Sequence, residues 1–157
     1  MMQSTLGPGQ RLRNGKAVEL DIPSDPMAVR RALARIMEEV SALAPPDDAQ
    51  ATVEIVLAEV LNNVVEHACA GLSGRRIAIT IAPTPTGLRC QVRDNGRPLP
   101  GDSLPAGDPP DPARRTPELA EGGFGWLLIR GLAHGLCYQR SGGMNVLSFS
   151  LNFHNAA

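Results

Sequence analysis

Aromatic side chains make up only 3% of this 157-residue chain, with one Trp, one Tyr and three Phe. A core built on stacked rings is therefore excluded, and Leu, Val, Ile and Ala must build it. Cysteine is also scarce. Cys69, Cys90 and Cys137 are odd in number and form no C-x-x-C pair, which argues against a disulfide framework or a thiolate zinc site and fits a reducing cytoplasm. All three read as small buried hydrophobes. Net charge is only -1, so direct binding to nucleic acid through bulk electrostatics is not expected. No apolar run approaches the roughly 18 residues of a membrane span, and Met1 to Gln10 lacks the apolar stretch of a secretion signal.

Apolar residues are plentiful at 43%. That suffices for a single domain of this length to bury a core without staples. Residues 1–15 are rich in Gly, Pro, Gln and Asn and read as a flexible lead-in to a domain over 16–155. Lys16 to Ile22 alternates and predicts a strand. Pro23-Ser24-Asp25-Pro26 is a helix-start signal, and Met27 to Leu43 carries apolar residues at helical spacing. Pro45-Pro46 ends that helix. Asp47 or Asp48 can cap the next, which is expected to run to about Ala70. Gly71 and Gly74 break it.

Arg75 to Ala82 and Leu88 to Arg93 then alternate around Pro83-Thr84-Pro85-Thr86-Gly87, an antiparallel hairpin. Segment 97–121 holds seven prolines and reads as a long lid-like connection. A short helix is expected over Phe124 to Ala133, then strands over Leu136 to Arg140 and Asn145 to Phe153 around Ser141-Gly142-Gly143. The order β-α-α-β-β-lid-α-β-β predicts an α+β fold, with one helix layer on a mostly antiparallel sheet.

Three polar signatures punctuate this pattern. Glu59, Asn63 and His67 recur every fourth residue on the second long helix and so form one column. Asn63 offers a hard cation a carbonyl oxygen, and Mg²⁺ takes few protein ligands, leaving water and phosphate to complete its octahedron. Glu59 can deprotonate a nucleophile, and His67 can hydrogen-bond backbone or phosphate. Asp94 stands where a strand stops, in Asp94-Asn95-Gly96. Its carboxylate can accept a hydrogen bond from an exocyclic amine, and Gly96 lets a ligand approach the backbone. Gly122-Gly123-Phe124-Gly125 feeds a helix N-terminus, a backbone arrangement that cradles phosphate. Taken singly, each also has a plain structural reading: a solvated helix face, an ordinary turn, a hinge.

In this order the signatures resemble the GHKL (Bergerat-fold) ATPase superfamily, and within it the small anti-sigma-factor serine/threonine kinases. The resemblance spans about Lys16 to Phe153. It implies a two-layer α/β sandwich with a mixed, mostly antiparallel sheet covered on one face by three helices, and an ATP lid over 97–121. It implies ATP and Mg²⁺ as cofactors, with Glu59 as general base and Asn63 as metal ligand. His67, Asp94, Gly96, Gly122, Gly123, Phe124 and Gly125 would surround the nucleotide, with Arg114 and Arg115 facing its phosphates. Two positions depart from the family pattern. Pro98 replaces a glycine, and Gly143 is followed by Met144 and Asn145 rather than by threonines, so that Asn145 stands in for a hydroxyl contact. The implied activity is phosphorylation of an anti-sigma antagonist on Ser or Thr, coupled to sequestration of a sigma factor. The implied setting is cytoplasmic and off the membrane, and the apolar residues of the Met27–Leu43 helix read either as a homodimer face, as in relatives, or as core. Two alternatives stay open: a catalytically weak binding module, and the ATP-binding domain of a split histidine kinase.

Overall fold

Alternation of buried and exposed side chains decides which face of each strand meets the helices. The computed structural model describes residues 9–105 and 125–154. Within them lie β1 (Val18–Pro23), α1 (Pro26–Ser41), α2 (Asp47–Asn63), β2 (Arg76–Thr84), β3 (Gly87–Asp94), α3 (Gly125–Leu132), β4 (His134–Ser141) and β5 (Met144–Asn152). The sheet order is β1-β2-β3-β5-β4, and all four pairings are antiparallel. The sheet expected as mixed is thus wholly antiparallel among the described residues. Ile77, Ile79 and Ile81 on β2, Leu88, Cys90 and Val92 on β3, and Leu147, Phe149 and Leu151 on β5 are buried at every second position. That period of two lays one apolar face against the helices.

The helices answer with their own stripe. Val29, Ala32, Ile36 and Val40 of α1 and Val53, Val56, Leu57, Val60 and Leu61 of α2 join the same cluster. The stripe on α1, readable either as core or as a dimer face, is therefore used by the chain's own core. Each such Val, Leu or Ile side chain contributes about 1.5–3 kcal/mol when fully buried. Within that helix-start signal Asp25 is the cap: its side chain accepts from the Met27 amide at 3.4 Å, with Pro26 in the first turn. Asp47 and Asp48 do not cap α2. They lie inside its first turn, where their charge still suits the helix dipole.

Three features depart from expectation. First, α2 does not run regularly to Ala70. After Asn63 it widens into a π-turn over Val64–Ala68, closed by Cys69 N donating to Val64 O at 2.8 Å. Second, the lead-in is fastened from residue 9 onward. Glu39 is fully buried, and its carboxylate accepts from the amides of Gly9 (3.0 Å), Arg11 (3.1 Å) and Leu12 (3.3 Å). Leu12 is drawn into the core with it. Third, only two of the cysteines are buried. Cys137 is exposed on β4, while burial pushes the Cys90 thiol up to about 12 and raises that of Cys69.

Candidate functional site

The inner face of the sheet turns polar at one end. The alternation that buries Leu88, Cys90 and Val92 carries Asp94 inward, and the alternation of Leu147, Phe149 and Leu151 carries Asn145 inward. The two are register partners on β3 and β5, and the row continues to Ile77 on β2 and Arg140 on β4. Asp94 is 4% exposed and Asn145 is 5%. A buried carboxylate is costly unless hydrogen-bonded. Asp94 Oδ1 accepts from Asn145 Nδ2 at 2.9 Å and from the Gly96 amide at 2.9 Å. Both bonds end on Oδ1, so among the described residues Oδ2 is the oxygen left for a ligand. Burial pushes the Asp94 carboxyl above its ordinary value, against the lowering effects of Asn145, Gly96 and the Arg140 charge.

This polar end opens into a cavity of about 400 Å³, within the range of small-molecule sites. One wall is α2 and its π-turn: Val60, Asn63, Val64, His67 and Ala68. The sheet supplies Val92, Asp94, Tyr138, Asn145 and Leu147, and the rim is Arg97 to Pro100 with Pro105 and Trp126. Apolar walls with a few polar groups at one end suit a flat heterocycle carrying a hydrogen-bonding edge. Asn63 and Asp94, on separate elements, line this one cavity.

Gly96 is required for a reason other than ligand approach. A Cβ there would lie 2.5 Å from the carbonyl oxygen of Ala68, which is backbone and cannot move aside cheaply. The strand end is stapled to the π-turn at this point: Arg97 N donates to Ala68 O at 2.7 Å, and Arg97 NH1 to Ala70 O at 2.6 Å. The backbone that this glycine admits is the protein's own.

The helix column divides. Asn63 and His67 line the cavity, whereas Glu59 does not. Glu59 instead faces the start of α3. A Cβ on Gly125 would lie 2.8 Å from Glu59 Oε2 and 3.6–3.7 Å from the Asn63 amide atoms. Gly125 is thus the residue that lets α3 approach the column. Asn63 Nδ2 is buried with no hydrogen-bond partner among the described residues, so its amide is free to turn and present oxygen instead. Among the described residues no group of three or more His, Cys, Asp or Glu could hold a metal. A cation here would rest on one amide plus water and phosphate. Arg114, Arg115, Gly122, Gly123 and Phe124 lie outside the described residues.

Tyr138, Arg140 and Trp126 belong to this region without having been singled out in the sequence. A signal for Arg140 existed. Gly142 and Gly143 both have positive φ, as a two-residue hairpin turn requires, and that turn pairs Ser141 with Met144 and Arg140 with Asn145.

The family model for the histidine kinase-like ATPase domain matches residues 22–151. The chain belongs to the histidine kinase-like ATPase domain family. Membership makes it an ATP-binding domain of kinase type, as the resemblance to GHKL proteins implied. This ATPase domain is 34% identical over 105 residues to serine/threonine-protein kinase BtrW of Bordetella bronchiseptica, covering 67% of this chain and 70% of that one. A histidine kinase domain from the Erythrobacter litoralis EL346 blue-light activated histidine kinase matches at 17% identity with a TM-score of 0.48. That match covers 92% of this chain and 69% of the other. No helix among the described residues is long and apolar enough to cross a membrane.

Proposed function

We propose that this chain binds Mg-ATP, phosphorylates a serine or threonine on a small anti-sigma antagonist, and sequesters a sigma factor. The observation that carries the nucleotide part is convergence: Asn63, His67, Asp94 and an apolar slot share one cavity. The serine/threonine part is supported by likeness to a relative named as such a kinase.

In this reading Asp94 accepts the exocyclic amine of adenine through Oδ2. Val60, Val64, Leu99 and Leu147 flank the ring. The turnable Asn63 amide and the Gly125 cradle fit Mg²⁺ at the far end, and the ion, when bound, supplies charge neutralisation for the phosphates. His67 is exposed at the cavity and hydrogen-bonds phosphate. Glu59 takes the proton of the incoming hydroxyl as that hydroxyl's oxygen bonds to the γ-phosphorus and the bond from the γ-phosphorus to the bridging oxygen breaks, releasing ADP. The resemblance assigns Arg114, Arg115, Gly122, Gly123 and Phe124 to the phosphate side.

The test is phosphotransfer from labelled ATP to a purified antagonist. Glu59→Gln should lower transfer at least about a hundredfold while leaving ADP affinity nearly unchanged. Unaltered transfer removes Glu59 from its role. An acid-labile product would instead indicate phosphohistidine. One pair of observations favours a second reading, a nucleotide-dependent binding module without transfer: Glu59 stands outside the cavity lining, and Pro98, which has no amide hydrogen, forms part of it. ATP binding by titration without turnover on any partner would select that reading.

A further inference from the structure

Asn145 has no hydrogen-bonding capacity left for a ligand. Its Nδ2 donates to Asp94 Oδ1 at 2.9 Å and to Arg97 O at 2.7 Å. Its Oδ1 accepts from Tyr138 OH at 2.7 Å and from Arg140 NH1 at 2.8 Å. A side-chain amide has two donors and two acceptor sites, and all four are used within the protein.

The residues that saturate it also grip the backbone beyond Asp94. Arg140 NH1 donates to Gly96 O at 3.0 Å, and the Leu99 amide donates to Tyr138 OH at 3.1 Å. Three side chains from β4 and β5 therefore hold the Asp94 carboxylate, the Gly96 and Arg97 carbonyls and the Leu99 amide. Pro98 sits inside this strap. It offers no amide to a ligand, and the next amide along, that of Leu99, is already taken by Tyr138.

We propose that Tyr138, Arg140 and Asn145 are positioning residues that pin Asp94 Oδ1, aim Oδ2 into the cavity and fix strap 96–99, so setting selectivity for a base bearing an exocyclic amine. The role expected of Asn145, a direct ligand contact, is replaced by one exerted through Asp94. The selectivity half rests on the nucleotide reading given above; the clamping of the strap does not.

The experiment has two arms on the full chain. In the first, amide hydrogen exchange is measured without ligand on wild type and Tyr138→Phe, a variant that keeps the ring and removes one oxygen. Leu99 exchange should quicken about fivefold, the scale of one net hydrogen bond; an unchanged rate overturns the clamp. In the second arm, ADP and IDP, whose base lacks the amine, are titrated into wild type, Asn145→Ala and Tyr138→Phe. The preference for ADP should fall about tenfold in Asn145→Ala and less in Tyr138→Phe. Equal weakening of both nucleotides makes Asn145 merely structural and overturns the selectivity claim. Wild-type protein that binds neither nucleotide overturns that claim together with the nucleotide reading, while the exchange arm still decides the clamp.

Discussion

Replacing Asp94 by Asn should weaken nucleotide binding and strengthen the empty fold at once. The amide can keep an oxygen at the Oδ1 position, so the bonds from Gly96 (2.9 Å) and Asn145 (2.9 Å) survive. What changes is Oδ2, which becomes an NH₂ group facing the amine it should accept. A hydrogen bond to a charged acceptor contributes about 1.5–3 kcal/mol, so ADP affinity should fall about tenfold to a hundredfold. Stability moves the other way. Burial raises the Asp94 carboxyl above the ordinary 3.8, so the folded state binds this proton more tightly than the unfolded state does. Stability from this group is then fully present below 3.8 and is lost as pH rises through the raised folded value. The variant loses nothing over that window. Thermal unfolding of the two empty proteins should give similar midpoints below pH 3.8 and an Asp94→Asn midpoint that pulls ahead as pH rises through the raised folded value. Every other residue is the same in both proteins, so the difference isolates this one. A variant that binds ADP as tightly as wild type, or that becomes relatively less stable as pH rises, refutes the reasoning.

Gly96→Ala should cost about 1–3 kcal/mol in urea unfolding, since its new methyl meets the Ala68 carbonyl at 2.5 Å; a neutral result would mean the strand end and π-turn can part freely. Glu39→Ala strips three backbone amides of a buried acceptor and should destabilise by about 3 kcal/mol or more. Proteolysis of that variant should begin within 9–15, and cleavage starting elsewhere would count against the anchor. Arg76→Ala removes an exposed ion pair to Asp21 at 2.7 Å and should shift stability by less than about 1 kcal/mol, a control for the larger effects.

Strand parity and helix spacing made much of this molecule readable in advance. Alternation on β3 and β5 carries Asp94 and Asn145 to the same face, and the i, i+4 column places Asn63 and His67 together. The unread features depend on what lies across space. Gly96 read as room for a ligand because nothing local shows that the Ala68 carbonyl fills it. Glu59 and Asn63 share one face of regular α2, and nothing local shows that the cavity reaches Asn63 and stops short of Glu59; the π-turn that follows has no residue signature either. Asn145 read as a ligand contact because its saturation depends on Tyr138 and Arg140, which become neighbours only through the final hairpin. Glu39 was readable in principle: a carboxylate beside Ile36 and Val40 on the buried side of a helix has to be matched by donors from elsewhere.

The strand order β1-β2-β3-β5-β4 has a consequence for biosynthesis. β5 slots between β3 and the edge strand, so Asp94, already paired with Ile77 on β2, gains its second register partner, the one whose side chain hydrogen-bonds its carboxylate, from a residue made 51 positions later. On the ribosome a growing polypeptide can therefore fold its first hairpin and first two helices while the Asp94 carboxylate still faces water. In the proposed reading the nucleotide site is complete, and nucleotide can stabilise the domain, only after the last strand emerges.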